Sequence, residues 1–205
     1  MIPDFPWRQC VALFLALLVC TALWAQAGQE RLAEHMIRLH VLANSDDRED
    51  QALKLQVRDR ILRETRVLLA DRRTAEDAAE ILSDNLDRLA ESAQRELRDR
   101  GCDCPVQVTL EETWFPTRIY GSTALPAGTY QALRVVIGEG KGHNWWCVVF
   151  PSLCLPAVSE TSLEAAGFTE GEISLITDPD QPLRIRFKTL EYWGLLKHAL
   201  EESFR

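Results

Sequence analysis

The spacing of hydrophobic positions changes character several times along the chain. From Cys10 to Ala25 the residues are apolar and uncharged, and small residues follow at Ala25-Gln26-Ala27. A short apolar run ahead of an A-x-A site is the pattern of a secretory signal peptide. The run falls short of the ~20 apolar residues a spanning helix needs. Residues 1–27 therefore read as an export signal, with cleavage between Ala27 and Gly28. The charges before the run, Arg8 and Asp4, cancel and leave the stretch only weakly positive, so an uncleaved anchor is the alternative reading. Residues 28–205 are then one extracytoplasmic α+β domain.

Gly28 to Met36 reads as a short lead of a helical turn or two. Ile37 to Ala43 alternates, which predicts a strand with Ile37, Leu39, Val41 and Ala43 on one face and Arg38, His40 and Leu42 on the other. Asp46 with Glu49 has the spacing of a capping box and predicts a helix to about Ala70. Leu53, Val57, Ile61 and Leu68 form one stripe of that helix, and Leu55, Leu62 and Leu69 form a second. Apolar residues on two sides predict packing on two sides. Thr74 with Asp77 opens the next helix and Gly101 closes it. From Pro105 the period falls to two. Strands are predicted at Val106–Leu110, Tyr130–Ile137 and Trp145–Phe150, with turn chemistry at Leu125–Gly128. A basic strand at Leu183–Lys188 and a helix from Thr189 to about Phe204 complete the pattern. The expected fold is α+β: an N-terminal strand and two helices, then a mostly antiparallel, hairpin-linked sheet and a C-terminal helix around a single core.

Charge narrows the partners. With 23 Lys+Arg against 31 Asp+Glu the net charge is −8, which disfavours nucleic acid and anionic lipid as general ligands. Export changes how the cysteines read. Cys102, Cys104, Cys147 and Cys154 remain beyond the signal, in a compartment that permits disulfides. Disulfides, a zinc site and free buried thiols all stay open, although C-x-C is not the usual C-x-x-C zinc spacing. Four cysteines allow three pairings. Cys147 and Cys154 flank Pro151, and a tight reversal there would join them.

The densest chemistry lies in Gly138–Cys147, "GEGKGHNWWC". It lacks the spacing of a phosphate-binding loop and is followed by a strand rather than a helix. The plain reading is a tight connection between two strands, whose glycines allow positive φ. Two functional readings compete with it. In one, the connection displays Lys141, His143, Asn144, Trp145 and Trp146 to a partner, with core packing the alternative for the two Trp. In the other, Cys147 is a nucleophile with His143 as base and Glu139 orienting it, which makes an extracytoplasmic thiol-dependent enzyme. The spacing of His143 and Cys147 suits a helix, whereas the segment reads as loop then strand, and burial in "WWCVVF" would raise the thiol pKa. No cofactor, metal or small-molecule substrate is expected.

Three segments carry a resemblance: "IRLHVLANSDDREDQALKLQVRDRIL" (Ile37–Leu62), "FPTRIYG" (Phe115–Gly121) and "LPAGTYQALRVVIGEGKGHNWWCVVFPSLC" (Leu125–Cys154). With the single N-terminal signal, they resemble the stage II sporulation protein R family of endospore-forming bacteria. Cys102 and Cys104 are not part of that pattern. The resemblance implies a non-enzymatic signalling protein, made in the forespore and exported into the space between the forespore and mother-cell membranes. There it would activate the membrane-bound sigma-E processing peptidase, an aspartic-type protease that removes the pro-sequence of the mother-cell sigma factor.

Overall fold

In a computed structural model of the protein, residues 7–120 and 123–151 are described. The first element, α1 (Trp7–Glu34), is 28 residues long and runs unbroken across Ala27 and Gly28. The expected short lead is thus the end of a longer helix, and that end belongs to the domain. Leu32 and Met36 are buried in the core, and Gln29 Nε2 donates to the Thr129 carbonyl at 3.4 Å. Among the described residues no helix is long and apolar enough to cross a membrane.

Strand β1 (Ile37–Leu42) leads to α2 (Arg48–Leu68), α3 (Ala75–Asp84) and α4 (Leu86–Arg98). Strands β2 (Val106–Phe115), β3 (Arg118–Tyr120), β4 (Thr123–Leu125), β5 (Gly128–Ile137) and β6 (Asn144–Phe150) follow. The fold is α+β with a mostly antiparallel sheet. Its four strands run β2-β5-β1-β6, and β3 pairs with β4 in a separate hairpin. β1 is parallel to β5 and antiparallel to β6. The expected hairpin between β5 and β6 is therefore absent, because β1 lies between them. Their connection, 138–143, has to cross the end of β1, a width of two strand spacings or ~10 Å.

An inner strand is covered on both faces, and Ile37, Leu39 and Val41 are fully buried. The helices cover this face: Arg58 of α2 lies over Trp145, which pairs with Val41 in the sheet. Val57, Ile61, Leu82, Leu89 and Leu97 supply the helical half of the core. Each such side chain removed from water contributes about 1.5–3 kcal/mol before entropy is counted. Both predicted stripes of α2 pack inward, since Leu53, Leu62 and Leu68 lie partly buried against the core and Leu69 is buried.

Two local expectations are corrected. Asp46 does not cap α2. The N-cap is Asp47, without a side-chain cap bond, and Ser45 Oγ accepts the Asp47 N–H at 3.1 Å instead. The helix predicted from Thr74 to Gly101 is two helices. Thr74 Oγ1 does cap it, accepting the Asp77 N–H at 3.1 Å. At Asn85, however, the side-chain amide donates to the Ile81 carbonyl at 2.8 Å, and the backbone leaves helical geometry. Asn competes for backbone partners in this way and favours helix ends. Gly101 closes α4 as expected, with φ +80°. The Cys102 N–H reaches the Leu97 carbonyl and the Gly101 N–H the Arg98 carbonyl, the paired bonds of a Schellman closure. The strand at 183–188 and the helix from Thr189 lie outside the described residues.

Candidate functional site

The 138–143 connection is held from beneath by the segment joining β1 to α2. Asn44 Oδ1 accepts the Glu139 N–H at 3.0 Å, and the Asn44 carbonyl accepts the Lys141 N–H at 3.1 Å. The Ala43 carbonyl takes the Gly142 N–H at 2.9 Å, and Asp46 Oδ1 takes the His143 N–H at 2.6 Å. From α2, Lys54 Nζ donates to the His143 carbonyl at 2.8 Å. The glycines are sterically required. Gly138 and Gly140 have φ of +58° and +63°, and a Cβ on Gly142 would stand 2.1 Å from the Ser45 carbonyl oxygen. Asp50 braces the underlying segment by accepting from Ser45 Oγ at 2.6 Å and Asn44 Nδ2 at 2.8 Å. These bonds hold its carboxyl below the usual carboxylate range, Ser45 contributing most.

On this fixed backbone the side chains of Lys141 and His143 stand 76% and 78% exposed. Lys141 pairs with Glu139 at 2.6 Å, which lowers the Glu139 pKa and raises that of Lys141. The His143 ring pairs with Asp46, and the bonds from His143 depress the Asp46 carboxyl. Lys54 is buried, and burial lowers its pKa against the opposing pull of Asp46. Asn144 is exposed at the start of β6.

Trp145 and Trp146 point to opposite faces of β6, and neither is fully exposed. Trp145 is half-buried, with the Arg58 guanidinium 4.2 Å from its ring centroid. Its indole N–H finds no acceptor among the described residues. Trp146 is half-buried and stacks on His40, with ring centroids 3.8 Å apart and planes 14° from parallel. Phe115 meets Trp146 edge-on at 4.7 Å. The second face of β1 is therefore an aromatic layer, unlike the polar face its alternation suggested. Arg38, 0% exposed, lays its guanidinium 4.1 Å from the Phe115 centroid and 4.8 Å from that of Tyr130. His40 is 6% exposed, and neither ring nitrogen has a partner in good hydrogen-bond geometry among the described residues. Burial pushes its pKa down to about 4; nearby Asn144 pulls it up, and the Arg134 charge lowers it further.

The thiol arrangement is not assembled among the described residues. Four residues along a strand separate His143 and Cys147 by ~13 Å. His143 is engaged by Asp46, Glu139 by Lys141, and Cys147 is buried. Cys102 and Cys104 carry free thiols, whereas Cys147 is bonded. Cys154 lies outside the described residues. No group of three or more His, Cys, Asp or Glu gathers as a metal site among the described residues.

Sequence reading missed the residues that hold the connection in place, namely Asn44, Asp46, Asp50 and Lys54. The one available signal was a lysine placed on an otherwise apolar helical stripe, Lys54 beside Val57 and Ile61. Such a lysine needs buried acceptors.

A family model described as "Stage II sporulation protein R" matches residues 33–160. The chain is also similar to a protein of Bacillus subtilis (strain 168) named stage II sporulation protein R. That similarity is 32% identity over 154 residues, covering 70% of this chain and 69% of the relative. No solved structure matches. The matched region contains β1, α2 to α4, the sheet and the 138–143 connection, so the chain belongs to the stage II sporulation protein R family.

Proposed function

We propose that this protein is an exported signalling protein that activates the membrane-embedded sigma-E processing peptidase, and has no catalytic site of its own. Family membership carries the sporulation role. The support for a docking role is the 138–143 connection, whose backbone is bonded to Ala43, Asn44, Asp46 and Lys54 while Lys141 and His143 remain exposed. A loop already ordered pays little conformational entropy when it binds. Gly138–Trp146 is then the surface offered to the protease from the intermembrane space. Activation requires tighter binding to the active form of the protease than to the inactive form.

Residues 1–27 act in export from the forespore, ending at Ala27–Gly28, or tether the domain if they are retained. Cys147 pairs with Cys154 and fixes the chain leaving β6. The reading is tested by co-expressing the full chain with the peptidase and its pro-sigma substrate. Cleavage should appear only when this chain is present. Equal cleavage without it overturns the proposal.

A further inference from the structure

Two thiols outside the docking segment stand together at the joint between α4 and β2. Their backbone is anchored on both sides. The Cys102 N–H bonds the Leu97 carbonyl at 3.0 Å. The Gln94 side chain donates to the Cys104 carbonyl at 2.8 Å and accepts the Val106 N–H at 3.0 Å. Both residues are part-buried against the core rather than sealed within it. One backbone donor faces a sulfur of the pair: the Cys104 N–H approaches Cys102 Sγ at 3.4 Å.

We infer that Cys102 and Cys104 form a thiol–disulfide exchange site whose co-substrate is a disulfide. The backbone N–H aimed at its sulfur makes Cys102 the attacking residue of the pair. The Cys104 thiol is pushed up to about 11, chiefly by its bond to Cys102, with burial and the Asp50 and Asp103 charges adding to it. It stays protonated until the second step. In the first step the Cys102 thiolate attacks the incoming disulfide, a Cys102 mixed disulfide forms, the incoming S–S bond breaks, and one thiol leaves with a proton. In the second, Cys104 loses its proton and attacks Cys102 sulfur, and the second thiol leaves. Two cysteine thiols are oxidised to one disulfide, and the co-substrate is reduced to two thiols.

A single residue between the cysteines sets the character of the bond. Residues i and i+2 lie at most ~7 Å apart, at the upper end of the Cα separation a disulfide accepts. So small a ring restricts the unfolded chain little and stores strain. Strained, accessible disulfides are the easily reduced ones. The pair is therefore a reversible redox site and not a second staple.

The test uses the purified full chain equilibrated in glutathione buffers, quenched with an alkylating agent and digested with trypsin. The peptide Gly101–Arg118 contains both cysteines and no others. Oxidised glutathione should convert it to a form about 2 Da lighter that resists alkylation, and reduced glutathione should reverse this while Cys147 stays bonded. In the reduced protein, limiting iodoacetamide should label Cys102 at least tenfold faster than Cys104. Cys104→Ser should accumulate a glutathione adduct on Cys102. The inference is overturned by a peptide that stays fully alkylated in oxidised glutathione, by a bond as resistant to reduction as that of Cys147, or by faster labelling of Cys104.

Discussion

His40 gives the fold a dependence on pH whose size follows from its surroundings. In the unfolded chain an imidazole titrates near 6.5, whereas in the aromatic layer beneath Trp146 it titrates at about 4. Between those values the unfolded chain binds the proton and the folded protein does not. Stability is therefore complete above pH 6.5 and falls as pH drops toward 4. Titration at about 4 in place of 6.5 corresponds to about 3 kcal/mol in total, of which about 2 kcal/mol is lost between pH 7 and 5. Against a typical stability of about 5–15 kcal/mol that is a large fraction. The charges facing His40 reinforce the sign, since Arg38 shares its strand and Arg134 of β5 pairs with it in the sheet. Glu111 only partly offsets Arg134, at 3.2 Å. Urea unfolding at pH 7, 6 and 5 measures the effect. With a slope near 2 kcal/mol/M the wild-type midpoint should fall by about 1 M from pH 7 to 5. His40→Phe keeps a ring against Trp146 and removes the proton site, so its midpoint should stay nearly level over that range. All other histidines and carboxylates are present in both proteins and cancel in the comparison. Parallel pH profiles for the two proteins would refute the reasoning.

Other consequences are local. Gly142→Ala drives a methyl into the Ser45 carbonyl and should cost about 1–3 kcal/mol, read as a lowered urea midpoint with faster amide exchange over 138–144. Lys54→Met fits the apolar stripe but leaves the His143 carbonyl without its donor, so about 1–3 kcal/mol should be lost. Asp50→Ala removes the acceptor of both Ser45 and Asn44 and should speed exchange of the Glu139 amide, which Asn44 holds. An unchanged exchange rate there would show that Asn44 needs no bracing.

How far these features could be read from sequence depends on how local their causes are. The periodicity of Val57 and Ile61, the Thr74 cap and the Gly101 closure depend on neighbours within a few residues, and all three are visible in the string. The break at Asn85 is equally local, but it sits within an unbroken apolar stripe from Ala78 to Leu97 that masks it. Arg38 and His40 look solvent-facing in an alternating strand. They are buried because Phe115, Tyr130 and Trp146 arrive from three other strands, and only long-range pairing decides that. The glycine-rich segment stands out in the string by its composition. Its support was invisible because β1 inserts between β5 and β6, an arrangement that consecutive strands usually avoid. The acids after β1 read as a helix cap for the same reason. Asp46 finds His143 far along the chain, at a place only the sheet order supplies.

In the proposed function, the exposed side chains of the 138–143 connection engage the peptidase. Lys141→Ala and His143→Ala, made singly and together, test it with two readings: the urea midpoint of the purified protein, and pro-sigma cleavage in cells co-expressing the peptidase. Truncating exposed polar side chains should change stability by under about 0.5 kcal/mol. Loss of a contact that anchors binding should cost about 2 kcal/mol or more, some thirtyfold in affinity, and cleavage should fall accordingly. Variants that unfold normally and still trigger full cleavage would contradict the account.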